Sequence, residues 1–331
     1  MKISVCIPTY NQSEHIGLTI RSVMVQTLLP DEIIVSDDHS TDNTWKILET
    51  LAAEISILRI IRQKFNKGIS KNTDSCLREA KGEFIVRLDS DDALLPEYIE
   101  TLSKLLTHHP NAGYAHAAVR EIDQQGYAGE PRRLMRNAGF QRSPDALRAA
   151  LKGYRVAANI LMFRREALEK VEYIQCSQDF AEDYYLSVCI AKAGFGNVYS
   201  PQILSAYRVW TDQGNVRKRR KLAEINGLNA VLSDALMPAF AQHHWDTKPV
   251  VSAKQRFAIA HSGCLSWKVY SKQEKAELET AILELSSAPA TKFFIWTHKN
   301  GLGKVLESYQ HTAAVIRQNI KKLILTRPQT R

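Results

Sequence analysis

Asp89-Ser90-Asp91-Asp92 places three carboxylates in four positions, directly after the apolar run Phe84-Ile85-Val86-Arg87-Leu88. Like charges crowded in this way repel one another. A divalent cation would account for the crowding, because Mg²⁺ and Mn²⁺ take oxygen ligands and also bind phosphates. Asp89 and Asp91 lie two residues apart and point the same way if strand geometry continues. Taken alone, the four residues read equally as a solvated acidic turn ahead of a helix starting near Pro96. Two further acidic groups stand at Asp37-Asp38-His39-Ser40-Thr41-Asp42 and at Glu182-Asp183. Each has its own plain reading, a strand-end turn with a helix cap and an acidic first helical turn.

The elements around these residues decide between the readings. Ile3 to Ile7, Glu32 to Ser36, Ile57 to Ile61 and Phe84 to Leu88 are short apolar runs that read as strands. Between them, Ile16, Ile20, Val23 and Met24, then Trp45, Leu48, Leu51 and Ala52, recur at helical spacing, and Ser70 to Ala80 reads as a third helix stopped by Gly82. Strand and helix alternating through short loops imply parallel strands in an α/β sheet. In such sheets ligands bind beyond the carboxyl ends of the strands. Pro8-Thr9-Tyr10-Asn11, Asp37 to Asp42 and Asp89 to Asp92 all follow strands, so they converge on one edge and one cleft.

Beyond Pro110 the alternation is less regular. Tyr114 to Ile122 and Val156 to Arg164 look like strands, Asp183 to Ala193 like a helix, and Val198 to Trp210 like a further strand. Residues 129–154, rich in arginine and small side chains, are expected to include a mobile loop. From Val216 the sequence reads as helices, with a break around Pro238 to Pro249. A boundary near residue 215 divides the chain into 1–215 and 216–331.

The 331 residues suffice for a substantial core, and 44% hydrophobic with 24% charged residues is ordinary for a soluble globular protein. No run approaches the roughly 18 apolar residues of a membrane span, and Met1 to Pro8 does not read as a signal peptide. Five scattered cysteines read as reduced, buried residues of a cytoplasmic protein. The histidines form no metal-ligand spacing. A net charge of +9 is compatible with nucleic acid, an anionic membrane or a phosphorylated substrate. Its basic clusters, Arg217 to Lys221 and the residues beyond Thr291, lie away from the acidic motifs.

Five ordered blocks give the chain a family resemblance over roughly residues 1–210. They are Ser4-Val5-Cys6-Ile7-Pro8-Thr9-Tyr10-Asn11, Asp31 to Thr44, Asn66-Lys67-Gly68-Ile69-Ser70, Ala80 to Ile85 leading into Asp89 to Asp92, and Glu182-Asp183. Together they resemble the family 2 glycosyltransferases, inverting enzymes of GT-A fold. The resemblance implies a Rossmann-like, mostly parallel sheet with helices on both faces, plus a C-terminal helical region. It implies that Pro8, Thr9, Tyr10, Asp37 and Asp38 line the nucleotide pocket, where a carboxylate can accept the imide N–H of uracil or thymine. Asp91 then becomes the direct ligand of Mg²⁺ or Mn²⁺, with Asp89 on the ribose or a metal-bound water, and Asp92 either joins them or caps the next helix. Asp183 becomes the catalytic base. Arg208, in Tyr207-Arg208-Val209-Trp210, matches a Tyr-Arg-x-His segment that approaches the donor diphosphate. Two departures stand out: Trp210 holds the histidine position, and Thr73-Asp74 stands where many relatives carry Arg-Asn. Arg62 and Lys67 are weaker phosphate candidates, more simply read as loop charges.

The expected activity is metal-dependent transfer of a sugar from a nucleotide-diphosphate donor to a saccharide or lipid-linked acceptor, in cell-surface polysaccharide or glycolipid synthesis, with no nucleic acid partner. An inactive nucleotide-sugar-binding regulator is the alternative from another class, weakened by retention of every acidic position. A nucleotidyltransferase or dinucleotide oxidoreductase would need a glycine-rich first loop that Pro8 to Gln12 does not supply. Val315, Ile316, Ile320, Leu323 and Ile324, with Arg317, Lys321 and Lys322 among them, suggest a basic amphipathic helix. It either packs on the catalytic domain or makes a peripheral contact with the inner face of the membrane.

Overall fold

The computed structural model describes residues 1–175, 180–210 and 216–303. The first four strands, β1 (Ile3–Thr9), β2 (Glu32–Asp37), β3 (Leu58–Arg62) and β4 (Phe84–Arg87), are parallel and ordered β3-β2-β1-β4. The helices between them are α1 (Ile16–Met24), α2 (Thr44–Glu54) and α3 (Ile69–Arg78). β1 is buried along its whole length, as a central strand covered on both faces must be. Beyond β4, the short β5 (Ala93–Leu94) and α4 (Tyr98–His108) lead into the long β6 (Ala112–Ile122).

Residues 129–154 carry structure where a mobile loop was expected: most of β7 (Ala128–Arg132), then β8 (Gly139–Gln141) and α5 (Ser143–Ala150). β7 is exposed at every position and lies antiparallel on β6. With neither face buried, it has no apolar alternation to announce it. The sheet is completed by β9 (Leu161–Arg164), then α6 (Arg165–Lys170), α7 (Glu182–Lys192) and β10 (Gly196–Arg208). β9 runs antiparallel between β4 and β6, while β10 runs parallel to β6. The result is a mostly parallel sheet of ten strands among the described residues.

Alternating side chains send the two faces of each strand into different cores. Ile3, Val5 and Ile7 pack with Ile16, Ile20 and Val23 of α1, Leu48 of α2 and Leu102 of α4. Cys6, Ile34 and Ile85 face the other way, against Cys76 and Leu77 of α3, Leu168 of α6 and Leu186 and Ile190 of α7. This is the expected α/β architecture, with helices on both faces. Parallel register aligns Thr9 with Asp37 and Asp37 with Arg62, so the strand ends finish level and their loops meet.

The chain forms two compact units, 1–213 with 230–250 and 214–229 with 251–331. The return of residues 230–250 to the first unit is absent from the division at 215. Those residues include the π-helical turn Val231–Leu236, which runs without a break into the helix Met237–Gln242; Pro238, just past the junction, has no N–H to give to the preceding turn. After residue 215 the helices are α8 (Val216–Arg219), α9 (Lys221–Ala230), α10 (Met237–Gln242), α11 (Lys248–Ser262), α12 (Lys272–Leu285) and α13 (Pro289–Lys299). α12 opens on a capping box: Ser271 Oγ accepts the Glu274 N–H, and the Glu274 carboxylate accepts the Ser271 N–H at 2.7 Å. The basic helix expected over Ala313 to Leu325 lies outside the described residues. No helix among the described residues is long and apolar enough to cross a membrane.

Candidate active site

The loops after β1 and β2 interlock. The Asn11 N–H donates to Ser40 Oγ at 2.9 Å, and Asn11 Oδ1 accepts the Thr41 N–H at 2.9 Å. The Asp38 N–H donates to the Thr9 carbonyl at 2.9 Å. Pro8 is buried within β1, while Tyr10 is exposed at the rim. Thr9 is buried and its hydroxyl meets no partner, an unsatisfied polar group at the mouth of the expected nucleotide pocket.

Asp37 and Asp38 are both buried, but they point to different neighbours. Asp37 accepts the Ser40 hydroxyl and backbone N–H, and the Arg62 guanidinium lies 3.6 Å away. Arg62, stacked on Trp45, is thus a partner of Asp37. Asp38 accepts the backbone N–H groups of Lys67 at 2.8 Å and Gly68 at 3.0 Å. It thereby draws the Asn66-Lys67-Gly68 loop to the strand ends. Gly68 has φ of +85°, a backbone that only glycine adopts without strain, so the turn and the Asp38 contact need that residue. What sequence reads as three separate blocks is one hydrogen-bonded wall.

On the other side of β1, Arg87 ends β4 and is almost fully buried at 1% exposed. Its Nε faces Asp89 Oδ1 at 3.4 Å, its Nη2 faces Glu182 Oε1 at 3.4 Å, and its Nη1 forms an ion pair with Asp183 Oδ1. Burial opposes the guanidinium charge, yet Asp89 and Glu182 more than offset it and hold the Arg87 pKa above the usual arginine value. Asp89 and the Glu182-Asp183 pair, far apart in sequence, therefore meet on one cation. Sequence reasoning passed over Arg87. The signal was a lone cation inside an apolar run, since a buried strand cannot hold an arginine without carboxylate partners.

Among the described residues no such cation lies on the oxygens of Asp91 or Asp92. Trp210 Nε1 donates to Asp91 Oδ2 at 2.5 Å, and the Arg208 N–H donates to Asp92 Oδ1 at 2.7 Å. Burial first, and then the Asp89 charge, raise the pKa of both, Asp92 strongly. Asp92 Oδ2 is buried without a partner. Asp92 does not cap a helix, because β5 intervenes and α4 begins only at Tyr98. The Arg208 guanidinium donates to the backbone carbonyls of Asp91 at 2.8 Å, Asp123 at 2.8 Å and Gln124 at 2.9 Å. It holds loops in place instead of facing an open cleft. Thr19 of α1 fastens the same loop, its hydroxyl lying within 2.9 Å of the Ser90 carbonyl and 2.8 Å of the Asp92 carbonyl. His15, one turn earlier, packs edge-on against Trp210 at 5.4 Å.

The donor set suits a hard divalent cation. Asp89 and Asp91 offer oxygen ligands within a cluster whose negative charge exceeds the nearby positive charge. Among the described residues no three His, Cys, Asp or Glu side chains form a ready metal cage. An ion there would be held by one or two carboxylates and completed by substrate phosphates and water, the usual manner of Mg²⁺.

The chain is similar to known proteins. The chain is 30% identical over 192 residues to chondroitin synthase of Escherichia coli, an alignment covering 58% of this chain and 27% of that protein. It is 35% identical over 116 residues to the GalNAc(5)-diNAcBac-PP-undecaprenol beta-1,3-glucosyltransferase of Campylobacter jejuni, covering 35% of this chain and 36% of that one. The matches thus span about a third or less of each relative. Among solved structures, S. aureus TarS 1-349 in complex with UDP superposes with a TM-score of 0.57 at 18% identity, covering 94% of this chain and 92% of that one. The mannosyltransferase of Pyrobaculum calidifontis in complex with GDP-Man and Mn²⁺ gives 0.57 at 18%, covering 92% and 86%. At that identity they establish the fold. Residues 4–172, more than half of the chain, match the family model for glycosyl transferase family 2, and the chain belongs to that family.

Proposed function

We propose that the protein is a metal-dependent, inverting glycosyltransferase that moves a sugar from a nucleotide-diphosphate donor to an acceptor hydroxyl. The observation that carries this reading is the carboxylate cluster at the sheet edge, where half-buried Asp91 and buried Asp92 stand beside Asp89 with their pKa values raised. Such a cluster is costly without a cation. Asp91 would bind Mg²⁺ or Mn²⁺ directly, with Asp89 beside it. When bound, the cation would neutralise the charge building on the departing diphosphate.

The chain's own residues supply the rest. Thr9, Asp37 and Asp38, with Tyr10 at the rim, would hold the nucleoside. Asp183 Oδ2 would take the proton of the acceptor hydroxyl as its oxygen attacks the anomeric carbon and the bond to the diphosphate breaks. One carboxylate would suffice, because a bound cation would neutralise the leaving diphosphate and no protein acid would be needed. Arg208 would act indirectly by keeping the Asp91-Asp92 loop in place. Two of the relatives are named for synthesis of a polysaccharide and for glucosyl transfer to a polyprenol-linked oligosaccharide. We extend that class to this chain: the acceptor is a saccharide or a lipid-linked saccharide, in polysaccharide or glycolipid synthesis.

The test is a thermal-shift screen of UDP-, GDP- and dTDP-sugars with and without Mn²⁺, followed by release of nucleoside diphosphate in the presence of candidate acceptors. Stabilisation by one nucleotide class that requires Mn²⁺ is expected. Asp183→Asn should then lower turnover by about 10²–10⁴-fold, the usual worth of a general base, with donor binding retained. No stabilisation by any member of the panel, or full turnover in Asp183→Asn, would overturn the proposal.

A further inference from the structure

A buried arginine needs a partner, but it does not need three. One carboxylate would neutralise Arg87; the chain surrounds it with Asp89 from the loop after β4 and with Glu182 and Asp183 from the start of α7. The fold does not depend on this cluster to bring α7 to the sheet, since Leu186 and Ile190 of α7 already share a core with Ile85 of β4 and Phe163 of β9. The surplus of carboxylates is therefore about arrangement within the cleft. From this geometry we infer that Arg87 is a positioning residue that holds Asp183 by Oδ1, leaving Oδ2 turned to the acceptor, and fixes that carboxylate relative to Asp89.

This role rests on the reading of Asp183 as the base. A planar guanidinium presents donors in fixed directions. Three carboxylates on one such group cannot shift independently, so the spacing between the base and the cation loop becomes a property of Arg87. The left-handed backbone at Ala181, φ +64°, immediately precedes Glu182-Asp183. Only a well-determined surrounding keeps such a non-glycine residue in place. Among the described residues, Asp91 and Asp92 feel the Asp89 charge, and the buried Tyr154 hydroxyl lies close to the Arg87 side of the cluster. It is neutral at working pH, because burial pushes it well above the ordinary tyrosine value.

The role can be read without donor or acceptor. Protein labelled with ¹³C at the aspartate carboxyl carbons gives a signal for Asp183, identified by its loss in Asp183→Asn, and its titration reports the charge held against it. In Arg87→Gln that titration should move up by about one unit or more, the ordinary effect of removing a neighbouring cation from a carboxylate. Arg87→Lys keeps the charge but not the fork and should fall between. Crystals of Arg87→Lys should show the Asp183 side chain in a changed rotamer while β4 and α7 stay where they are. If Arg87→Gln does not fold, Arg87→Lys carries both measurements. An Asp183 signal that titrates as in the wild type, with an unchanged rotamer, overturns the inference. Failure of every nucleotide sugar to bind the wild type would instead remove the assignment of Asp183 as base, leaving the Arg87 result standing as a description of the cluster.

Discussion

Asp91→Asn separates a carboxylate kept for function from one kept for the fold, because the two roles predict opposite signs. Asp91 is half-buried and its pKa is raised, chiefly by desolvation and further by Asp89, with the Trp210 hydrogen bond opposing both. Burying a carboxylate costs several kcal/mol even after relaxation, on the order of the ion-pair penalties. The Trp210 N–H returns roughly 1.5–3 kcal/mol to a charged acceptor and about 1 kcal/mol to a neutral amide. Replacing the charge with an amide keeps the shape, loses about 1 kcal/mol of hydrogen bond and removes the larger penalty. A net gain of about 1–2 kcal/mol should appear as a rise in Tm of about 2–8 °C in EDTA at pH 7.5, at about 2–4 °C per kcal/mol for a domain of this class. In 1 mM Mn²⁺ with UDP the order should reverse, since the variant lacks a cation ligand and gains little from the pair. The pH dependence has a definite sign. Asp91 and Asp92 titrate near 3.9 in the unfolded chain and higher in the native state. The native state therefore binds more protons in that window, and stability falls as pH rises through it. Asp91→Asn should flatten this fall, measured by differential scanning fluorimetry from pH 4.5 to 8. A variant that is less stable in EDTA and still gains the full Mn²⁺–UDP shift would refute the reasoning.

Arg208→Ala should lower stability by about 2–4 kcal/mol in urea titration, since its guanidinium serves three backbone carbonyls; unchanged stability with weakened UDP binding would instead place the guanidinium on the diphosphate. Asp38→Ala leaves the Lys67 N–H unpaired and the Gly68 N–H with Asn66 Oδ1 at 3.1 Å, so the Lys67 amide hydrogen exchange should accelerate at least about tenfold, equivalent to about 1.4 kcal/mol. Protection equal to the wild type would mean that the loop is held by other contacts. His116 is fully buried, and desolvation with the Arg136 charge pushes its pKa down to about 3. The unfolded chain takes up that proton near pH 6.5 and the native state does not, so stability should fall as pH drops below about 6.5, by up to about 1.4 kcal/mol per pH unit. His116→Gln should remove this component from urea titrations at pH 6.5, 5.5 and 4.5, and an unaltered slope would count against it.

The parallel sheet was legible because its strands are buried on both faces and bounded by turns, which leaves continuous apolar runs in the sequence. The convergence of Thr9, Asp37, Asp38 and Asp89 to Asp92 followed from topology, since loops after parallel strands share an edge. The exposed β7 left no such trace, and its residues, with β8 and α5, read as a mobile loop. Arg208 shows a different limit. A motif identifies its position beside the Asp91-Asp92 loop, but the direction of a long side chain depends on which carbonyls come within reach. Arg62 is similar: a basic residue at a strand end looks like a phosphate ligand until the register sets it beside Asp37.

Trp210 shows why a departure at one position reorganises its neighbours without emptying the cleft. An imidazole at that position could offer a lone pair to a cation; an indole N–H can only donate. In this chain the donor is aimed at Asp91 Oδ2, so under the proposed function the aromatic residue would orient a cation ligand in place of being one. The charge balance then rests on two arginines with separate duties. Arg208 spends its side chain on backbone carbonyls, while Arg87 is shared between Asp89 and the Glu182-Asp183 pair. Neither cancels Asp91 or Asp92 by direct contact with their oxygens. The residual negative charge is thus directed at the place where a cation and a diphosphate would arrive together. Binding of the ion should accordingly be linked to binding of the nucleotide, each supplying what the other lacks.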